Sequence, residues 1–447
     1  SGDADNWTTD TTAPTADIAD ITPDPRNAAI SSATIVFSEA VSGVTLDDLT
    51  LTRDASGDLL TGGESHGPRL TAVIEGLPAG LRIDRVAIDG WLRRRQHGFG
   101  RGGRQRIEKD AVVVTAGLRD GRTMGGPVVL ELENRDWKNW AAVMDPWATD
   151  ESAAAKRAVT RPRPGHADFS GGAATDQLGD MRNVLERASA RETGARVMAG
   201  AVCSQLLARY GIAQRSAVLQ LGPHVVTDGP PSWDGLSEVR FDSPLVTPDP
   251  DHEEVLVEAV RAARAEGDTM GGVVGAVVRG LPPGLGSHTH WDRKLDGQVV
   301  QALTSIHSVK AAAIGAGIEV AGRLGSQSHD AIHVIEGQLR RDTNRAGGLE
   351  GGVTNGEDLV TRAYFKPIST LRKGFASVDL TTGESEVTEW ERSDVTAIGA
   401  APVIVEAMLA LVLADELLIK LGGDAIADTD AGWEALCERL RPWWRPE

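Results

Sequence analysis

The stretch SDVTAIGAAPVIVEAMLALVLADELLIKLGGD, residues 393–424, decides much of the fold because most of it is apolar. A helix without a polar face is buried on all sides, and glycine commonly follows the last residue of a helix. We therefore predict a buried helix that ends at Gly422. No apolar run reaches the roughly 18 residues that a membrane span needs, so no membrane partner is expected.

The chain around this helix has an α/β composition from Thr61 onward, rich in Gly, Ala and Val. Helical patterns occur at 72–76, 150–158, 190–210, 252–266, 296–312 and 402–420. We expect an α+β fold over residues 59–447. Cys203 and Cys437 lie in helical patterns without the spacing of metal ligands, so they are predicted to be core thiols of a protein in a reducing compartment, and no metal site is expected.

Residues 1–58 differ in composition, with 11 Asp and Glu and 2 Arg, and they carry −9 of the formal net charge of −18. Short β-prone runs such as SATIVFSEAV and VTLDDLTLT alternate with turn residues, which favours an all-β segment. The phrase DTTAPTADI followed by TIVFSEAV resembles bacterial surface Ig-like repeats. A sandwich needs about seven strands and about four are present, so we predict a partial Ig-like domain, with an acidic disordered extension as the alternative.

The second part contains two internal echoes. IEGLPAGLRID near residue 75 resembles VRGLPPGLGSH near residue 279, and GRTMGGPVVLELEN at 121–134 resembles GDTMGGVVGAVVRG at 267–280. The two echoes predict two related halves that share one core. Chance recurrence of glycine-rich turns before β-prone runs is the alternative.

Two motifs indicate a site for anions. Gly63–Pro68, GESHGP, stands after the β-prone LLT and before a predicted helix. Glycines at such a turn let the backbone approach a ligand, and His66 can donate a proton to a leaving phosphate. A surface-loop histidine is the alternative. Arg93–Lys109 holds seven basic residues and one Glu, and guanidinium groups bind phosphate and carboxylate in pairs. An RGG-like RNA-binding tract is the other interpretation of that segment, but the strongly acidic chain favours a local anion site without nucleic acid.

Three further segments carry groups of the same kind. RPRPGHAD, residues 161–168, and ERASARETG, residues 186–194, combine His166 with several arginines, which disfavour a charged imidazole unless an anion is bound nearby. A turn in which His166 bonds Asp168 is the bland alternative. The glycine-rich NRAGGLEGGVTNG at 344–356 and KPIST at 366–370 can cradle a phosphate or a flavin, although neither forms a Walker A loop. In ERSD, residues 391–394, an Arg–Asp pair can place a carboxylate in a pocket.

Taken together and in this order, the motifs resemble the chorismate synthase family over residues 60–430. The resemblance implies conversion of 5-enolpyruvylshikimate-3-phosphate to chorismate and phosphate by a 1,4-elimination, the last common step toward the aromatic amino acids. It implies reduced FMN as cofactor, because the departing hydrogen is not acidic and the flavin can supply electron density. The implied fold is a β-α-β sandwich with two related halves, in a cytoplasmic homotetramer. NADPH or an external flavin reductase is the implied source of electrons.

The resemblance also assigns roles to residues. His66 is implied as the acid near the leaving phosphate with Ser65 beside it, His166 as the partner of the reduced flavin, and Asp394 as a proton acceptor. Arg95 and Arg101 are implied to meet the pyridine nucleotide and substrate anions. The implied flavin contacts are Arg187, Ala188, Ser189, His307, Ser308, Gly351, Lys366, Pro367, Ile368, Ser369, Thr370 and Arg392.

The chain departs from the family pattern in the segment Ile306–Gly315, IHSVKAAAIG, where the family usually has Ile-x-Ala-Val-Lys-Gly-Val-Glu-Ile-Gly. His307 and Ser308 fall on two flavin-contacting positions, and Ala313 replaces the usual Glu. The acidic segment before Leu59 is a second departure. An Ig-like adhesion protein with a degenerate enzyme body is therefore the alternative function.

Overall fold

The computed structural model describes residues 16–18, 35–37, 59–103, 107–388 and 394–446. The chain divides into two compact units, Ser1–Ala55 and Ser56–Glu447. In the first unit, strands β1 (Ala16–Ile18) and β2 (Ile35–Phe37) pair antiparallel. The rest of the predicted Ig-like segment lies outside the described residues.

The second unit contains both helices and strands, which confirms the α+β class. Its strands are β3 (Leu59–Gly62), β4 (Arg69–Ile74), β5 (Val113–Ala116), β6 (Leu118–Arg119), β7 (Arg122–Thr123), β8 (Val128–Glu133), β9 (Ala213–Leu221), β10 (His224–Val225), β11 (Gly272–Arg279), β12 (Val309–Ile314), β13 (Ile332–Ile335), β14 (Gln338–Arg341), β15 (Leu349–Glu350), β16 (Val353–Thr354), β17 (Leu359–Phe365), β18 (Ala376–Val378) and β19 (Ser385–Val387). Its helices are α1 (Arg85–Gln96), α2 (Ala141–Met144), α3 (Glu151–Ala155), α4 (Asp168–Ala174), α5 (Arg182–Arg187), α6 (Thr193–Arg209), α7 (Pro250–Ala265), α8 (Leu295–Thr304), α9 (Gly325–Ser328), α10 (Ala401–Leu421) and α11 (Ile426–Leu440).

Two antiparallel sheets flank a layer of helices. One sheet has the strand order β3-β4-β8-β5 and the other β10-β9-β11-β17-β12. Helix α6 packs on β4 and β8, α10 packs on β9 and β11, and the two helices pack on each other. The apolar faces of both sheets are therefore buried against helices in one continuous core.

The predicted buried helix is α10, and its predicted end is confirmed. It ends at Leu421, and Gly422 follows with a φ of 69°, the left-handed region that glycine adopts without a steric penalty. The N–H of Gly422 donates to the carbonyl of Leu418 and closes the last turn. In the described residues no helix is long and apolar enough to span a membrane.

One of the helical patterns is wrong, and another is wrong in part. Residues 72–76 lie mostly in β4, and the pattern at 296–312 covers α8 and then runs into β12. Both strands are buried or half-buried along most of their length, and a short apolar run has no period that separates a buried strand from a helix.

The first echo marks a structural repeat. In the first half, Thr123 fixes the loop Leu77–Leu81, since its carbonyl accepts from Gly80 and its Oγ1 accepts from the Leu81 N–H and donates to the Pro78 carbonyl. In the second half the same three hydrogen bonds join Thr354 to Gly284, Leu285 and Pro282. The sheet orders match as well, with β3-β4-β8-β5 corresponding to β9-β11-β17-β12.

The second echo is not a repeat. Because Thr123 corresponds to Thr354, the counterpart of GRTMGG at 121–126 is GVTNGE at 352–357. The similar GDTMGG at 267–272 precedes β11, which corresponds to β4 rather than to β8. The two halves are related in structure, as expected. Of the two sequence similarities that predicted this, only the LPAGL and LPPGL pair lies at equivalent positions in the two halves.

The contact between α6 and α10 requires a glycine. A Cβ built on Gly200 would overlap the backbone and the Cβ of Ala407, so the two helices meet at a distance that leaves no room for a side chain. Gly90 in α1 is different, since a Cβ there would meet only the flexible end of Arg93, at 3.6 Å.

We expect Gly200→Ala to destabilise the protein by about 1–3 kcal/mol, the cost of overpacking a core. Gly90→Ala is the matched control, because it adds the same methyl group to a helix where there is space, and it should stabilise by about 0.5–1 kcal/mol. Urea unfolding followed by circular dichroism measures both. A Gly200→Ala midpoint equal to the wild-type value would contradict the close helix contact.

Candidate functional site

His66 is held on a buried carboxylate. Its Nδ1 lies 2.9 and 3.0 Å from the two oxygens of Glu186, and its backbone N–H donates to Glu186 Oε2 at 2.7 Å. The imidazole stacks on Trp140 with ring centroids 3.9 Å apart. Burial would raise the pKa of Glu186, but the hydrogen bonds and charge of His66, with the charge of Arg182, hold that pKa below its usual value. The carboxylate is therefore ionised and accepts from Nδ1–H.

The loop around His66 joins the end of α5. Ser65 is buried, donates its N–H to the Glu186 carbonyl, and accepts at its Oγ from Ser189 at 3.1 Å. Arg187 donates to the carbonyls of Thr61 and Gly63. Ala188 is the first residue after α5 and lies between Arg187 and Ser189 in the chain. The structure thus brings Ser65, His66, Arg187, Ala188 and Ser189 together as predicted.

His166 is held in a similar way at the start of α4. Its Nδ1 lies 2.6 Å from Asp168 Oδ1, and Arg163 donates to both oxygens of the same carboxylate at 2.8 and 3.0 Å. Burial would raise the pKa of Asp168, but the hydrogen bonds from His166 and Arg163 win and hold it well below its usual range. Arg163 also donates to Thr370 Oγ1 at 3.0 Å. The turn predicted as the bland alternative is present, and it fixes the ring of His166 beside KPIST.

The segment Lys366–Thr370 lies against the His166 loop. A Cβ built on Gly165 would lie 3.3 Å from Ser369 Oγ and 3.7 Å from Lys366 Nζ. Lys366 Nζ donates to Ser369 Oγ at 2.9 Å, and burial together with the nearby charge of Lys310 lowers the pKa of Lys366. Pro367 and Ile368 continue the segment, and Thr269 of GDTMGG donates its hydroxyl to the Ile368 carbonyl at 2.7 Å. The GDTMGG loop therefore supports this site.

Arg101 and Asp394 form the far side of the site. Arg101 Nε lies 3.0 Å from Asp394 Oδ2, and the Gly102 N–H donates to Asp394 Oδ1 at 2.5 Å. Both side chains and Thr370 line a cleft of about 190 Å³. Asp394 thus pairs with an arginine of the Arg93–Lys109 segment, whereas Arg392, its predicted partner in ERSD, lies outside the described residues.

His307 connects the His66 side of the site to the KPIST side. Its Nδ1 lies 3.8 Å from Glu192, which accepts from Thr61 Oγ1 at 2.8 Å and from Arg196 Nε at 2.9 Å. The carbonyl of the next residue, Ser308, accepts from the Lys366 N–H at 2.9 Å. His307 and Ser308 thus connect Thr61, through Glu192, with the KPIST segment that lies beside His166.

Two predicted contact residues lie away from these groups. Arg95 is buried and donates to Thr193 Oγ1, to the carbonyls of residues 190 and 191, and to Asp110. Gly351 lies in the β15–β16 turn, where its carbonyl accepts from Lys294 just before α8, whereas His307 follows the other end of that helix. Arg392 lies outside the described residues. The ligand contacts of all the predicted site residues stay predictions.

These positions bear on the Arg93–Lys109 segment as a whole. Arg94 pairs with the buried Glu406 at 2.8 Å, and Arg95 and Arg101 pair with Asp110 and Asp394. Three arginines of the segment are therefore paired with carboxylates of the same chain, and of these Arg101 lines the cleft beside Thr370.

Residues 58–418 match the family described as Chorismate synthase. The chain belongs to the chorismate synthase family. It is 50% identical over 366 residues to the chorismate synthase of Moorella thermoacetica, covering 82% of this chain and 94% of that protein. It is 49% identical over 385 residues to that of Thermus thermophilus, covering 86% and 99%. A solved structure described as "Crystal Structure of Chorismate Synthase" matches with a TM-score of 0.69 and 36% identity over 86% of this chain and 98% of that chain.

The family departure at Ala313 is compensated by a nearby charge. In the register of β12 and β17, Ala313 is opposite Arg362, a buried arginine. The guanidinium donates to the Ala316 carbonyl at 3.1 Å and approaches Glu319 Oε1 at 3.5 Å. Glu319 thus supplies a carboxylate in the neighbourhood where the usual family residue would place one.

The residues of the site suit an anionic cofactor. Nδ1 of His307 is buried without a hydrogen-bond partner among the described residues, and Arg196, His166 and Arg187 all act on the ring as positive charges. A phosphate-bearing flavin would supply the missing negative charge. No group of three or more His, Cys, Asp or Glu in the described part of the chain could hold a metal ion.

Sequence reasoning missed the residues that orient the histidines. Glu186 and Glu192 lie inside the quoted ERASARE motif, but only His66 and His307 reveal their use, from 120 and 115 positions away in the chain. Nothing in the local sequence distinguished Trp140 from other aromatic residues or Arg163 from the neighbouring arginines, so their contacts with the histidine sites could not be predicted. Contacts between residues so far apart in the chain depend on tertiary packing, which local sequence does not specify.

Asp168 should make stability depend on pH in the acid range. Its folded pKa is depressed, so its contribution is present above the usual Asp value of about 3.9 and is lost as the pH falls below that value. We expect Asp168→Asn to lower the free energy of unfolding by about 3 kcal/mol at pH 7, because it leaves Arg163 without its buried partner.

The difference between wild type and Asp168→Asn should narrow below about pH 4 in urea unfolding. Asp176→Asn, an exposed position with a φ of 56° that Asn also adopts, is the control and should change little. A constant difference at every pH would show that Asp168 is not the ionised partner.

Proposed function

We propose that this chain is a chorismate synthase, which eliminates phosphate from 5-enolpyruvylshikimate-3-phosphate to give chorismate. The observation that supports this most is that two histidines, His66 and His166, are each held on a buried carboxylate that also pairs with an arginine. Relatives of 45–50% identity with this activity support the same conclusion. Chorismate is the last intermediate shared by the routes to the aromatic amino acids.

His66 is the proposed acid for the leaving phosphate. The Nδ1–H of its ring bonds Glu186, so Nε2 is the atom left to donate to a phosphate oxygen as the carbon–oxygen bond breaks. Trp140 on one face of the ring and the buried Glu186 on its edge hold the imidazole in one orientation. Ser65, bonded to Ser189, is proposed to contact the same phosphate.

Reduced FMN is the proposed cofactor, and when bound it supplies electron density during the loss of phosphate and recovers it with the departing hydrogen. Arg187, Ala188, Ser189, His307, Ser308 and Lys366–Thr370 are proposed to hold it, with Arg392 and Gly351 as further contacts. His166, with its Nδ1 on Asp168, presents Nε2 as a donor toward the flavin. Asp394 is proposed as the final proton acceptor, and Arg101 as a contact for substrate anions.

The remaining expectations are proposals of the same kind. NADPH near Arg95 and Arg101, or an external flavin reductase, is the proposed source of electrons. A cytoplasmic homotetramer is the proposed assembly. The Ig-like nature of residues 1–58 and the division at residue 58 are also retained as proposals.

We expect the purified protein to release phosphate from 5-enolpyruvylshikimate-3-phosphate under anaerobic conditions with reduced FMN and not with oxidised FMN. The reason is that the reaction needs electron density that only the reduced flavin can supply. Phosphate and chorismate are both measured, so that simple hydrolysis of the substrate is recognised. Equal chorismate formation with oxidised flavin, or without flavin, would overturn the proposed mechanism.

His66→Ala and His166→Ala should each lower kcat by about 10-fold or more, in line with the loss of one general acid. His329→Ala removes an exposed imidazole outside the site and serves as the control, with kcat close to wild type. Steady-state kinetics with reduced FMN in excess measures all three. A wild-type kcat for His66→Ala would exclude its role as the acid.

A further inference from the structure

We infer that His307 takes up a proton when an anionic ligand binds at the site, so that the ligand is bound more tightly as the pH falls. This inference rests on the proposed function for the nature of the ligand, a phosphate-bearing flavin. It concerns a residue at the variable position of the family pattern, on one of the predicted flavin-contacting positions. The structural support comes from the surroundings of the ring, from the charges around it and from the backbone that holds it.

The ring of His307 is partly buried, and its buried Nδ1 is incompletely bonded. Its Nδ1 has no hydrogen-bond partner in the described part of the protein, and the nearest carboxylate oxygen, on Glu192, is 3.8 Å away. The Glu192 oxygens already accept other hydrogen bonds, one from the Thr61 hydroxyl and one to each oxygen from Arg196 Nε. A buried polar atom without a partner is uncommon in proteins and often marks a place where a ligand or a proton is missing.

The charges around His307 disfavour its protonation. Burial lowers the pKa of His307 to about 4, and although Glu192 opposes this, Arg196, His166 and Arg187 act in the same direction as burial. Arg196 lies in helix α6 and Glu192 just before it. His166 lies in the loop before α4, and Arg187 is the last residue of α5. An anion placed among three cationic groups would offset their charge and remove the main electrostatic obstacle to an imidazolium.

The backbone keeps His307 in this position. Ser308 has a φ of 73°, a left-handed conformation that costs energy for a residue other than glycine, and such strain tends to occur at functional sites. The Ser308 carbonyl accepts from the N–H of Lys366, which ties the turn to the KPIST segment. Arg196 reaches across to Ser305 Oγ at 2.8 Å and fixes the same turn from the other side.

The direction of the linkage follows from these charges. A histidine that is neutral without ligand and protonated with ligand adds binding free energy below the bound-state pKa, and this gain is lost as the pH rises through that value. A return of the bound pKa to the usual His value of about 6.5 would raise the affinity of the wild type about 10-fold between pH 7.5 and pH 5.5.

The test compares FMN binding to the full-length wild type and to His307→Asn, which keeps a polar group near Nδ1 but cannot titrate. Calorimetry in two buffers of different ionisation enthalpy gives the protons taken up, and quenching of flavin fluorescence gives the affinity from pH 5.5 to 7.5. The FMN phosphate itself titrates near pH 6, but this contribution is common to both proteins, so the difference isolates His307. His329→Asn, which removes an exposed imidazole, is the matched control.

We expect the wild type and His329→Asn to take up more protons than His307→Asn, and their affinity to rise about 10-fold more toward pH 5.5. Riboflavin, which lacks the phosphate, should show a smaller difference between the proteins. Equal proton uptake in wild type and His307→Asn, or no binding of FMN to the wild type, would overturn the inference. If His307→Asn does not fold, His307→Gln takes its place.

Turnover is measured separately, so that the two proposals fail in different ways. A wild type that makes chorismate but shows no His307-dependent proton uptake retains the proposed function and loses this inference. A wild type that binds FMN with the expected proton uptake but makes no chorismate from its substrate loses the proposed function instead.

Discussion

The close contact between α6 and α10 is the constraint on which the rest of the second unit depends. Each helix carries one sheet on its outer side, so the distance between the two helices fixes how the two halves meet. Gly200 permits that distance. One turn earlier in α6, Arg196 crosses from the first half to Ser305 in the second, and Glu192, one further turn back, approaches His307. The packing of two apolar helices thus sets the dimensions of a polar site.

The site itself is organised by buried carboxylates. Glu186 and Asp168 have no exposed side-chain surface, and burial alone would favour their neutral forms. They stay ionised because a histidine and an arginine bond each of them, and the loss of one partner from such a buried set is strongly destabilising. The hydrogen bond between each carboxylate and its histidine therefore has two effects. It stabilises the buried negative charge, and it orients the imidazole ring. Both histidines are oriented before any ligand binds, which is the condition for effective proton donation.

The sequence predicted those features that depend on local composition. The uniformly apolar run ending at Gly422, the LPAGL and LPPGL loops, and the motifs around His66, His166 and Lys366 all lie where they were expected. The failures came from patterns without a period, such as 72–76, and from the similarity of GRTMGG to GDTMGG, which share glycines but hold different positions in the two halves. The partners Glu186, Trp140 and Glu192 could not be assigned, because only packing over more than 70 residues of chain brings them to His66 and His307.

Two positions near β12 follow one electrostatic rule. At position 313, where the family pattern has Glu, this chain has Ala opposite the buried Arg362, and Glu319 approaches that guanidinium from the next segment. At position 307, the variable position of the pattern, an ionisable ring lies near Arg187, Arg196 and His166, and burial together with those charges lowers its pKa. The charge of Arg362 is balanced within the chain, whereas a proton on His307 is favoured by an anion that binds beside it, which is why His307 rather than Ala313 is the position at which ligand binding should depend on pH.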